Sequence, residues 1–152
     1  MPEQQVPQLA SQLIMDNQAR FPVNEVDATE SSSDTLSGTE GSLITASITP
    51  RSNSKVLLMA SCQLNNDAAT AREINLFIRR GSATDRPATL QLTSQLEARA
   101  ADKRCITFCV VDSPATTAAI TYDLRGTTDA GSPTATNKSI VAIELPAVTK
   151  FG

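Results

Sequence analysis

The stretch ITASITPRSNSKVLLMASCQL, residues 44–64, decides the fold. Ile44, Ala46 and Ile48 alternate with Thr45, Ser47 and Thr49, the period of two that a half-buried strand requires. Pro50 has no N–H to give a ladder and stops that strand, and the following Arg51-Ser52-Asn53-Ser54 supplies the turn. Val56, Leu58, Ala60, Cys62 and Leu64 then alternate through a second, longer strand. Leu57 and Met59 are apolar as well, so this strand is expected to be buried on both faces near its middle.

Outward from this hairpin the same texture continues. Toward the N-terminus, ATESSSDTLSGTEGS (28–42) is polar and low in complexity, a loop or short edge hairpin expected to add nothing to the core, and Phe21, Val23 and Val26 suggest a first strand. Toward the C-terminus, Ile74, Leu76 and Ile78 mark a strand ending at Arg80-Gly81, and Leu90, Leu92 and Leu96 another after the Asp85-Arg86-Pro87 turn. Residues 95–104, QLEARAADKR, read as a solvated connector with helix propensity. Ile106, Phe108 and Val110 precede a break at Asp112-Ser113-Pro114, and Ala118, Ile120, Tyr122 and Leu124 form the next alternation. After a polar tip, Val141, Ile143 and Leu145 close the pattern before Pro146.

About eight strands at regular spacing, with no alternation of strand and helix, predict an all-β antiparallel two-sheet sandwich, most simply a jelly roll. The expected inward positions are Ile44, Ile48, Leu58, Ala60, Cys62, Ile74, Leu76, Ile78, Ile106, Phe108, Val110, Ile120, Tyr122, Val141 and Ile143. Residues 1–20 stand apart as an N-terminal arm before a sandwich domain of residues 21–152. Within the arm Leu9, Leu13 and Ile14 fall at near-helical spacing among glutamines; a short amphipathic helix and an extended arm fit equally well. These three side chains have no evident duty inside a sandwich that can fold alone, which makes them candidate inter-subunit contacts.

The 152 residues contain no histidine, so catalytic constellations built on Ser-His-Asp, Cys-His or a histidine-bound metal are excluded. Thirteen Lys and Arg against 16 Asp and Glu, net charge −3, with the basic residues scattered, give no footprint for nucleic acid. No apolar run approaches the roughly 20 residues of a membrane helix. The N-terminus lacks the charged and apolar regions of a secretory signal, so synthesis and folding in a cytoplasm are expected.

Candidate chemistry is sparse. Cys105 and Cys109, four apart on one strand face, lie about 13 Å from each other, too far to bridge or to share one zinc. Three free thiols are expected, although the sequence leaves open a bridge from Cys62 to either. Asp112, Asp123 and Asp129 could be assembled as a hard-cation set, but no calcium-loop spacing is present and turn formation explains them better. Asn137-Lys138-Ser139 is a glycosylation sequon without the expected compartment. Arg79, Arg80 and Arg125 could pair with Glu97 or Asp123 in a patch facing another subunit, or simply be surface. With no site constellation and few aromatics to line a sugar cleft, neither enzyme activity nor a cofactor is expected.

SGTEGSLITASITPRSNSKVLLMASC (37–62) resembles a β-sandwich domain of tailed-bacteriophage virion proteins, in the order Ser/Thr-rich lead, "ITP" hairpin, "SK" and long core strand. INLFIRRGSA (74–83), CVVDSPATTAAITYDLRG (109–126) and NKSIVAIEL (137–145) are similar to the same domain's middle hairpins and closing strand, so the resemblance spans residues 21–145. It implies a virion structural protein, often trimeric, synthesised in a host bacterial cytoplasm, and it carries over no catalytic residue. Two roles follow: a homotrimeric capsid decoration or cement protein bound to the major capsid protein, or a tail fibre or receptor-binding knob attached to tail components. A cellular ligand-binding sandwich is the third class. Neither nucleic acid nor membrane insertion enters any of them.

Overall fold

The computed structural model describes residues 24–66, 71–81, 91–96, 102–145 and 147. Among the described residues nine strands follow one another: β1 (Glu25–Glu30), β2 (Asp34–Thr35), β3 (Gly41–Ile48), β4 (Lys55–Asn66), β5 (Arg72–Arg80), β6 (Gln91–Leu96), β7 (Asp102–Asp112), β8 (Ile120–Thr128) and β9 (Thr134–Leu145). They form two sheets, ordered β1-β9-β4-β7 and β3-β8-β5-β6, with the short β2 added against β9. Every pairing is antiparallel.

The pairs β1·β9, β3·β8, β4·β7 and β5·β6 nest inside one another like the rungs of one long hairpin. Rolling that hairpin up brings β9 against β4 and β8 against β5, which splits the rungs alternately between two sheets. This is the jelly roll that the regular strand spacing predicts. The PRSNS turn behaves as its residues require: Asn53 takes a φ of 59° and Ser54 N–H donates to the Arg51 carbonyl at 3.2 Å.

Between the sheets lie Val56, Leu58, Ala60, Cys62, Leu64, Phe108, Ile140 and Ala142 from one side, and Ile44, Ala46, Ile48, Ile74, Leu76, Ile78, Ile120, Tyr122 and Leu124 from the other. Ile106 and Val110 pack against this core half-buried. Gly126 on β8 leaves room for three leucines: a Cβ there would meet Leu36 at 2.8 Å, Leu76 at 3.3 Å and Leu43 at 3.4 Å.

The structure corrects several sequence expectations. Val141 and Ile143 do not face inward; β9 buries Ile140, Ala142 and Glu144 instead. The run Ile140-Val141-Ala142-Ile143 is apolar in both phases, so alternation cannot choose between them. β9 also carries one extra residue opposite β4 between Ser61 and Gln63, where Asn137 adopts a φ of 48°. Met59 is exposed rather than buried on a second face. Leu36, in the polar stretch expected to stay out of the core, is fully buried, and a register shift at Ser42/Ile44 lets both Leu43 and Ile44 turn inward. Of residues 95–104, read as connector, 95–96 belong to β6 and 102–104 to β7, and 97–101 lie outside the described residues. Phe21 and Val23, the arm with Leu9, Leu13 and Ile14, and the boundary between residues 20 and 21 lie outside the described residues.

Candidate functional site

Among the described residues, the acidic and basic side chains singled out in the sequence are paired inside the fold; Glu97 lies outside the described residues. Arg79, only 7% exposed, grips Glu40 with two nitrogens, and its guanidinium lies 5.5 Å from the Phe77 ring centre. Arg125 reaches the same Glu40 at 2.9 Å and Asp123 at 2.6 Å, and Ser42 Oγ–H donates to Asp123 at 2.7 Å. The hydrogen bond from Arg79, with both arginine charges, holds the Glu40 carboxyl below its ordinary range against the opposing effect of partial burial. Arg80 turns elsewhere, to Asp112 at 3.3 Å, and Asp112 also accepts from the Tyr122 hydroxyl at 2.7 Å. Burial, then that hydrogen bond, pushes the Tyr122 phenol well above its usual range. Asp129 accepts from the backbone N–H groups of Glu73 and Ala130 in a turn. Asp112, Asp123 and Asp129 are therefore three separate structural groups, and Arg79 and Arg125 are tied within their own chain.

Lys138 is a second surprise: its side chain is fully buried and meets Asp34, with Glu30 at 3.5 Å and Ser32 Oγ at 3.2 Å. A shallow cleft of about 390 Å³ opens there, lined by Thr29, Glu30, Ser31, Asn137, Lys138 and Ser139. Its lysine is already neutralised by two carboxylates. All three cysteines are free, Cys62 buried and Cys105 and Cys109 exposed. Among the described residues, no three His, Cys, Asp or Glu side chains cluster as a metal site, and no helix is long and apolar enough to cross a membrane.

The feature that stands out lies on the outer face of the β1-β9-β4-β7 sheet. Strand register sets Glu25, Ile143, Leu57 and Val111 in one row across four strands, and Asp27, Val141, Met59 and Cys109 in the next. Leu145 stands one row further along β9, paired with Lys55. The third row is Thr29, Ser139, Ser61 and Thr107, all hydroxyls. Met59 remains 37% exposed, Val111 45% and Leu145 37%. The result is a flat apolar centre on β9, β4 and β7, bounded by carboxylates on β1 and by hydroxyls along the strands. An apolar centre within a polar rim is the anatomy of a protein contact surface. Sequence reasoning missed it by assigning Val141 and Ile143 to the core. The signal that was present is a set of apolar runs filling both phases, Leu57-Leu58-Met59, Val110-Val111 and Ile140-Val141-Ala142-Ile143, on three strands that turn out to be neighbours.

No family model matches the sequence, and no curated protein matches it. Among solved structures, the chain is similar to one from the T13 particle of infectious bursal disease virus. The TM-score is 0.55 and the identity 14%, over 80% of this chain and 30% of the viral one. A chain from the Gx strain of that virus is similar at a TM-score of 0.49 and 13% identity, over 82% and 32% respectively. The chain thus spans about a third of the length of the viral chains it matches. The first likeness is one of fold: the jelly roll seen here also occurs in an icosahedral virus particle.

Proposed function

We propose that the protein is a non-enzymatic structural subunit of a virus particle, namely a capsid decoration or cement protein of a tailed bacteriophage that works as a homotrimer and stabilises the shell. The observation that carries this reading is the apolar outer sheet face, a rigid contact surface with no reactive group at its centre other than the Cys109 thiol. The fold shared with an icosahedral virus particle supports the virion setting. The sequence resemblance supports the bacteriophage.

A two-sheet sandwich suits such work because its ladder hydrogen bonds fix the surface before any partner arrives, so little ordering entropy is lost on docking. The N-terminal arm, residues 1–20, would add Leu9, Leu13 and Ile14 as inter-subunit contacts. Each contributes about 1.5–3 kcal/mol on full burial, before ordering costs. Repeated by three subunits and at every shell position, these terms add through avidity.

The test is binding of purified full-length protein, and of a truncation starting at Phe21, to shells that lack it. The full chain is expected to sediment with shells and raise their resistance to heat, and the truncation to bind weakly or not at all. Binding to host cells instead of shells would replace this reading with a tail fibre or receptor-binding knob.

A further inference from the structure

We propose that the apolar outer face of the β1-β9-β4-β7 sheet is the seat for residues 6–14 of a neighbouring copy, so that subunits are clasped by exchanged arms. The inference rests on the reading of the protein as an assembling subunit and names what covers its contact face.

Size selects the occupant. The apolar centre spans three strands, about 10 Å across, and five residues of β9, about 14 Å along. Side-chain girth brings the footprint to the order of 300 Å². A stable pair of folded domains needs about 800 Å² from each partner, so a second sheet laid on this face alone would be too small a contact. A short segment fits that area. Chemistry agrees: VPQLASQLI, residues 6–14, carries no charge, as the two apolar rows on β9, β4 and β7 carry none, and contains Val6, Leu9, Leu13 and Ile14.

The proposed role of Leu9, Leu13 and Ile14 as inter-subunit contacts selects a neighbour over the same chain. The Asn24 carbonyl accepts from Glu144 N–H at 2.8 Å, and the Asn24 side-chain amide donates to the Thr49 carbonyl at 3.2 Å. The root of the arm is thereby fixed at the Leu145 end of the sheet. From there β1 runs antiparallel to β9, away from Asn24. The two apolar rows begin one residue on, at Glu25 and Ile143, and continue at Asp27 and Val141. The nine residues 15–23 can span up to about 30 Å, so the segment is long enough to leave its own domain.

Cys109 lies in the second row and is exposed, which makes it a native reporter. The experiment uses the full-length L13C/C105S chain, with isotopically light and heavy copies co-refolded and mildly oxidised without shells. The expected result is a ladder of disulfide-linked multimers on a non-reducing gel and linked light–heavy peptides joining positions 13 and 109. M59K in the same background is expected to lower the yield at least tenfold while leaving the fold intact, because Met59 is exposed. Links confined to light–light and heavy–heavy pairs, no link between 13 and 109, or a yield indifferent to M59K would each overturn the proposal. Absence of the link with shell binding retained refutes the exchanged arm alone; linked copies that ignore shells refute the decoration role alone.

Discussion

Glu144→Gln tests how the end of the sandwich is held. Glu144 is 1% exposed, and its Oε1 accepts from Ser54 Oγ–H at 2.6 Å and from Arg51 N–H at 2.7 Å, while Arg51 Nε stands 3.5 Å from Oε2. Hydrogen bonds to a charged group are worth about 1.5–3 kcal/mol each and neutral ones about 0.5–1.5, so neutralising this carboxylate costs about 2 kcal/mol over two bonds. The half-exposed Arg51 pair adds less than about 1 kcal/mol. For a chain near 150 residues the total lowers Tm by about 4–8 °C. Burial alone would raise the Glu144 pKa, but the bonds from Ser54 and Arg51 N–H, the Arg51 charge and Asn24 outweigh it and hold the carboxyl below 4.5. A depressed folded-state pKa stabilises fully above the unfolded value, and that stability is lost as pH falls through the folded one. Urea unfolding at pH 7 should therefore show the deficit, and the gap between wild type and variant should close as the pH falls through the depressed folded-state pKa. Glu40, also depressed, gives both proteins a residual acid slope. Equal stability at pH 7, or a gap that persists unchanged in acid, would refute the reasoning.

Native-state alkylation should label Cys105 quickly and Cys62 only on unfolding, because Cys105 is exposed whereas Cys62 is buried and its thiol is pushed up to about 11, chiefly by that burial. Reductant should leave the melting midpoint unchanged in calorimetry, since all three thiols are free. Leu58→Ala, at a fully buried position, should lower unfolding free energy by about 2–5 kcal/mol in urea titrations. Gly126→Val should lower it by about 1–3 kcal/mol through crowding against Leu36, Leu76 and Leu43, measured the same way.

Strand positions with one apolar phase were legible from sequence. Ile44, Ile48, Ala60, Cys62, Ile74, Leu76 and Ile78 all point inward because a slip would expose each of them. Where both phases are apolar, as at Val141 and Met59, local pattern loses its power and only the neighbouring strand decides. Polar partnerships were hidden for another reason. Arg79 meets Glu40 across 39 residues and Glu144 meets Ser54 across 90, separations that no local period encodes. The contact face was invisible on both counts: its members look like core, and they become a patch only when β7, β4 and β9 stand side by side.

The pairing of β1 with β9 has a consequence for the order of events during synthesis. β9 is the last of the described strands to be translated, yet it lies inside its sheet, with β1 on one flank and β4 on the other. A nascent chain at about 5–20 residues per second therefore carries an orphaned β1 and a half-paired β4 until residues 134–145 have emerged. The bond between Asn24 and Glu144, which ties the start of β1 to the end of β9, is among the last of these contacts that can form. The edge of this sheet is thus timed as well as shaped: β1 stays without its partner until β9 has emerged.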